Sequence, residues 1–318
     1  FLTTVIIGRV AGQDALGVYL LAFSVMMIVL CVQESLVCIP YTVRHREVEG
    51  AARRAMAGSA LAQALMLGVL LAVLVGIGGG VAYRSAFGGV VAISLAAAVA
   101  FILMRGFARR ISFAHLDMTG ALAVDLAVFA PQVGVLLVLA KFAFVSTVNS
   151  LLVIALACAG PGSLWLWVER RRFRPELGHV SGDARASWPL GSWVLGSQLI
   201  AVVSGYAVYW YVTALIGPSA SGELAACAAI VLLANPILLG TYNYLPARLA
   251  AANAEEGTRG VARVAMGVAL FLAVAMVLFS IGAFLFGPLF VRFVYGAEFE
   301  ASAAVGGLFA VSGLALAV

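Results

Sequence analysis

Long apolar runs, each broken by a short cluster of charged residues or of glycine and proline, follow one another from Phe1 to Val318. The runs are continuous rather than alternating. A strand in a barrel wall alternates apolar and polar positions, whereas about 20 unbroken apolar residues make a helix long enough to cross a bilayer core. The pattern predicts ten helices: a partial one at 1–11, then 16–40, 55–82, 89–108, 117–140, 144–168, 187–216, 220–246, 260–289 and 300–318. Several exceed the minimum span, which tilt accommodates. The first and last runs open and close inside apolar sequence, so the chain is expected to be a fragment, truncated at both ends.

Composition agrees with this pattern. Hydrophobic residues make up 64% and charged residues 10% of the 318, against nearly half and about a quarter in soluble domains. The fold class is all-α, a polytopic transmembrane helical bundle. Cys31, Cys38, Cys158 and Cys227 lie inside apolar runs without ligand spacing. They read as small buried side chains rather than disulfides or metal ligands.

Alternate connections collect the arginines. Segments around Arg44–Arg54, Arg105–Arg110, Arg170–Arg185 and Arg248–Arg263 hold fifteen of the nineteen basic residues, leaving Arg9, Arg84, Lys141 and Arg292 for the other side. The positive-inside rule makes the arginine-rich side cytoplasmic, which places a multi-pass protein in the cytoplasmic (inner) cell membrane. At a membrane face these basic clusters imply topology and attraction to anionic membrane lipids rather than nucleic acid.

An internal repeat is visible. Aligning VIIGRVAGQDALGVYLLAFSV from Val5 with YWYVTALIGPSASGELAACAAIV from Tyr209 puts Gly12 on Gly217 and Gly17 on Gly222, both 205 apart; Pro40 then falls on Pro246 and Gly50 on Gly257. Equivalent positions are separated by six helices, so two six-helix-type lobes share one orientation: residues 1–175 (helices 1–6) and 176–318 (helices 7–10, the last helices missing). Parallel repeats of this kind carry a substrate between lobes by alternating access.

The stretch carrying Arg9, Gly12, Asp14, Gly17 and Tyr19 resembles the helix-one to helix-two connection of polysaccharide transporters in the multidrug/oligosaccharidyl-lipid/polysaccharide (MOP) flippase superfamily. The segment with Gly287, Pro288, Tyr295, Gly296, Phe299 and Ala301 resembles the same family's ninth-to-tenth connection. The resemblance implies a transporter that flips or exports a lipid-linked oligosaccharide or polysaccharide precursor of polyprenyl phosphate type, driven by H⁺ or Na⁺. A multidrug exporter of the MATE type is the alternative. A membrane enzyme of glycan assembly is a third reading.

Enzymatic motifs are absent: GIGGGV at Gly76–Val81 lacks the Lys-Ser/Thr of a phosphate loop and reads as a helix end. His45, His115 and His179 fall in cytoplasmic segments with no nucleophile or metal pattern, so no enzyme activity, cofactor or metal is expected. Intramembrane ionisable residues are the functional candidates. Glu34 is the first ion-coupling candidate, its neighbours Gln33 and Ser35 offering a bland hydrogen-bonding alternative. Asp125 is the second, with pairing to Arg109 or Arg110 as its alternative. Substrate-binding candidates are Arg9 (a phosphate-meeting arginine, or an anchor paired with Asp14), Gln132, Asn149, Gln198, Asn235 and Tyr209, the last within the aromatic group Tyr206, Tyr209, Trp210 and Tyr211. Pro131 and Pro236 are expected to interrupt helices five and eight.

Overall fold

The protein's computed structural model describes residues 1–45, 48–82, 86–173, 179–296 and 299. Side chains are left aside at 82, 86–87, 231–232, 235–240, 242–244, 246–251, 253–255 and 288. Among the described residues every regular element is a helix. They are α1 (Leu2–Gln33), a π-helical turn (Glu34–Cys38), α2 (Ile39–Arg44), α3 (Gly50–Ala82), α4 (Ala86–Ala114), α5 (Met118–Lys141), α6 (Thr147–Val168), a 3₁₀ turn (Glu169–Arg172), α7 (Val180–Leu215), α8 (Pro218–Leu232) and α9 (Asn235–Tyr295). Among the described residues, seven helical stretches are long and apolar enough to cross a membrane.

The expected helices reappear with shifted ends. The runs 1–11 and 16–40 join in α1 across Gly12, whose φ of 83° and ψ of −178° are not helical. The expected helix 220–246 is broken next to Pro236, as expected: α8 ends at Leu232 and α9 starts at Asn235 with the proline in its first turn. A proline there lacks only an N–H that has no helical acceptor anyway. Proline 131, by contrast, does not interrupt α5, which runs through it. Helix 300–318, Ala301 and Arg84 lie outside the described residues.

Basic residues extend helices beyond the apolar runs. The expected helix 89–108 continues to Ala114, so Arg105, Arg109 and Arg110 belong to α4 rather than to a loop. Long arginine stems let a helix leave the apolar layer without burying charge. The glycine run 76–81 is the end of helix α3, as expected. Cβ atoms added at Gly76 and Gly79 would lie 3.4 Å and 2.8 Å from the Ala96 and Ala92 methyls, so bare backbone there brings α3 close to α4.

Two compact units partition the chain: Thr3–Gly17 with the chain from Ile216 onward, and Val18–Leu215. Within the larger, α4 packs against α3 and α6. Phe107, Ile111, Ala60, Val124 and Trp165 share its apolar core, where the Trp165 indole donates to Ser112 Oγ at 3.2 Å. Asp117 caps α5, accepting the Gly120 N–H at 2.9 Å. These contacts hold its carboxyl below the usual carboxylate range, the Gly120 bond first and the Thr119 hydroxyl second.

In the smaller unit the two copies of the repeat meet. Gly12 and Gly217 both have positive φ, 83° and 128°, as do Gly50 and Gly257, 56° and 63°. These are backbone shapes that favour glycine. Their mates Gly17 and Gly222 touch each other: a Cβ on Gly222 would lie 3.2 Å from the Gly17 nitrogen and run into the Gln13 carbonyl. One on Gly17 would run into the Pro218 carbonyl and sit 2.6 Å from Ser221 Oγ. Ser219 Oγ donates to Gln13 Oε1 at 3.1 Å. The aligned glycines of the two copies thus pack backbone against backbone.

Gly17→Ala or Gly222→Ala is expected to destabilise the protein by about 1–3 kcal/mol through overpacking, read as a lowered melting temperature in detergent. Gly68→Ala, whose Cβ would meet only Leu103 at 3.8 Å, should melt like the parent.

Candidate functional site

Three arginines on neighbouring turns of α4 organise the charged layer of the larger unit. Arg105 and Arg109 hold Asp125 of α5, Nη2 to Oδ1 at 2.6 Å and Nε to Oδ2 at 3.0 Å. Arg110 is ion-paired with Glu34, the first residue of the π-helical turn. Arginines 105 and 109 are four apart and so share a helix face, while 110 points elsewhere. One helix thus binds α5 on one side and the lower part of α1 on the other. Both intramembrane carboxylates predicted as ion-coupling groups are therefore paired with arginine in this conformation. For Asp125 the partners are Arg105 and Arg109, not Arg110.

The predicted substrate-binding residues do not form one cluster. Arg9 is exposed, and its Nη1 donates to the Phe293 carbonyl at 3.0 Å rather than meeting Asp14. A cation there satisfies a carbonyl in the last turn of α9, where the helix dipole is negative. Gly296, with φ of 106°, ends that helix. Asn149 donates Nδ2–H to the Phe144 carbonyl at 2.7 Å and its own N–H to Ser146 Oγ at 3.1 Å, so it orders the entry to α6. Gln132 is half-buried on α5 and engaged with a neighbour. The side chains of Asn235 and Asn243 lie outside the described residues.

Gln198 and Tyr209 belong to a different arrangement, a seam where α1 and α7 run antiparallel. Ser24 Oγ accepts from the Trp210 indole at 2.9 Å, Cys31 Sγ donates to Gln198 Oε1 at 3.9 Å, and Arg44 Nη1 donates to Ser187 Oγ at 3.1 Å. Between them a Cβ on Gly191 would lie 3.0 Å from the Ser35 carbonyl oxygen. At one end of the seam, Tyr19, Phe23, Tyr206 and Tyr209 form a ladder of rings with centroids 6.1–6.2 Å apart. Tyr211 points out, 68% exposed.

A second cluster joins residues that sequence reasoning left as separate loop histidines. Tyr41 Oη and His115 Nε2 are 3.0 Å apart. The His45 ring stacks on Tyr41 at 5.3 Å and meets His115 edge-on at 5.2 Å. Burial and the nearby Arg172, His45 and Arg53 push the His115 imidazole below the ordinary histidine value, with Asp117 opposing weakly. Seventy residues separate the two histidines, and no local spacing pattern links them. The arginine-rich segments around Arg44, Arg110 and Arg172 do meet at this end of the larger unit, as the alternating charge pattern requires.

No family model matches the chain, and no curated protein is similar to it. A solved structure does match, over 99% of this chain and 79% of its own, with a TM-score of 0.73 at 17% identity. It is the inward-facing conformation of a multidrug resistance MATE family transporter of the MOP superfamily. The two chains share a fold. The superfamily named in the sequence resemblance agrees with this fold, whereas the polysaccharide half of that resemblance rests on the motifs around Arg9 and Gly296.

Asp125→Asn leaves two guanidiniums facing a neutral amide. The pair is about 30% exposed, so the cost should fall below the 3–5 kcal/mol of a fully buried pair, at about 1–2 kcal/mol. Thermal melts of Asp125→Asn and of the double variant Asp125→Asn/Arg109→Gln should show the second change restoring part of the loss.

Proposed function

We propose that the protein is a non-enzymatic membrane transporter that moves a lipid-linked oligosaccharide or polysaccharide precursor across the cytoplasmic membrane by alternating access. The likeness of fold to a MATE transporter across nearly the whole chain carries the transporter part of this reading, and the paired glycine geometry of the two repeat copies supports it.

Charge supports the substrate class of this reading. An exporter of cationic drugs benefits from carboxylates facing its substrate, but here Glu34 and Asp125 are both neutralised by α4. Three guanidiniums face two carboxylates, an excess of one positive charge, and among the described residues the buried Arg105 Nε–H has no hydrogen-bond partner. A net positive layer favours an anionic substrate such as a polyprenyl-phosphate-linked glycan. The multidrug reading draws on the sequence resemblance's alternative and on what the structural neighbour is. Coupling to H⁺ or Na⁺ is assigned to Glu34, which exchanges the Arg110 pair for the ion.

Deleting the full-length gene should abolish surface polysaccharide without changing drug tolerance; the reverse pattern assigns the chain to drug export. Restoring the gene as Glu34→Gln should leave export reduced about tenfold or more, the scale of one lost charge-assisted contact of about 1.5–3 kcal/mol. Export at the parental rate would remove Glu34 from coupling.

A further inference from the structure

The Tyr41, His45 and His115 cluster lies outside the charged layer, on the arginine-rich end of the larger unit. It joins α2, which carries Tyr41 with His45 just beyond it, to the end of α4, which His115 directly follows. Its protonation can be read from hydrogen bonding. The Thr42 carbonyl lies 2.9 Å from His45 Nδ1 and can only accept, so His45 carries a proton on Nδ1. His45 is also 4% exposed. A neutral His115 accepts the Tyr41 hydroxyl proton at Nε2 and carries its own proton on Nδ1.

The groups facing His115 come from each neighbouring element. Tyr41 and His45 lie on the α2 side, Arg53 on α3, Arg172 on the 3₁₀ turn and Asp117 in the connection to α5. The Asp117 carboxylate is committed to capping α5, and Arg172 is ion-paired with Glu169. Arg53 donates to the Val48 carbonyl at 2.9 Å.

We propose that His115 is the proton-binding residue of a latch that holds α2 on α4, with the π-helical turn Glu34–Cys38 as its hinge. A proton taken from the cytoplasm onto Nε2 removes the acceptor of the Tyr41 hydroxyl, which must then accept instead. It also sets a positive ring against the His45 ring and beside Arg53 and Arg172. Beside the Tyr41–His115 contact, the polar tie between these segments among the described residues is Glu34 with Arg110, at the turn itself. A π-helical turn interrupts the regular helical ladder and such turns recur at functional sites; in the latch, the segment from Ile39 to His45 swings there once His115 is charged.

The sign follows from the direction of the shift. A histidine held below its ordinary value in the closed arrangement resists protonation there. An arrangement in which it is freed binds the proton more tightly. The closed latch is therefore favoured at neutral pH and loses ground as pH falls below about 6.5. Acidification on the arginine-rich side opens it. The proposal rests on the transporter reading only for the side of the membrane that this end faces.

Spin labels at Val43→Cys and Met118→Cys, 52% and 55% exposed, report the closure in the full-length protein in detergent or vesicles. Electron–electron distance distributions should gain a longer population between pH 7.5 and 5.5. His115→Gln, whose amide oxygen still accepts from Tyr41, should keep the neutral-pH distribution throughout. Tyr41→Phe should show the longer population already at neutral pH. If His115→Gln fails to fold, Arg172→Gln serves, because removing that charge should move the midpoint to higher pH. A distribution unaltered by pH in the parent, the parental pH response in His115→Gln, or an unmoved midpoint in Arg172→Gln overturns the latch. Because the readout needs no substrate, such a failure leaves the transport reading standing, and failure of the export assay leaves the latch standing.

Discussion

A guanidinium in an apolar layer must find a carboxylate, and in the larger unit this requirement falls on one helix. α4 presents Arg105 and Arg109 on one face and Arg110 on another, and each face captures a carboxylate from a different neighbour. The pairing sets the register of α5 through Asp125 and of the lower α1 through Glu34. Apolar packing around Phe107, Ile111 and Trp165 then fills the space between them. Packing alone is tolerant of a turn's displacement along a helix of uniformly apolar residues; a charge pair is not, because one turn moves the partner by about 5.4 Å.

The π-helical turn belongs to the same arrangement. It begins at Glu34, so the residue held by Arg110 is also where the helical ladder of α1 changes pitch. Below it, Tyr41 returns to α4 to meet His115. Above it, α1 follows α7 through Ser24 and Cys31. The segment from Ile39 to His45 thus meets α4 through Tyr41 and α7 through Arg44, just beyond the Glu34–Arg110 pair at the turn.

Glycine marks the repeat in both copies. At Gly12, Gly217, Gly50 and Gly257 the reason is a positive φ; at Gly17 and Gly222 it is the approach of backbone to backbone. The sequence alignment pairs these positions without distinguishing the two causes. Residues carrying the family resemblance receive plain structural roles as well. Arg9 caps α9, Gly296 ends it, and Tyr295 is buried against the backbone of Gly8. A motif built from helix ends and crossings reports fold more directly than substrate, which is why it points to a superfamily more firmly than to a cargo.

Helix order, the paired glycines and the two isolated carboxylates were all legible in the sequence, because each depends on local composition: apolar length, backbone freedom, and charge inside an apolar run. Helix ends were less legible. Arginine stems carry α4 to Ala114, beyond the apolar run that stops at 108. Partners were hidden altogether. Nothing in the run around Glu34 names Arg110, and Asn149 looks like a cavity amide until its bonds to Phe144 and Ser146 are seen. His45 and His115 are unremarkable loop residues until α2 and the end of α4 lie side by side. By itself the sequence determined that the chain spans a membrane as a repeated set of helices. Which charges neutralise one another, and which rings share a proton, only the tertiary structure decided, because both depend on the rotation and register with which distant helices pack.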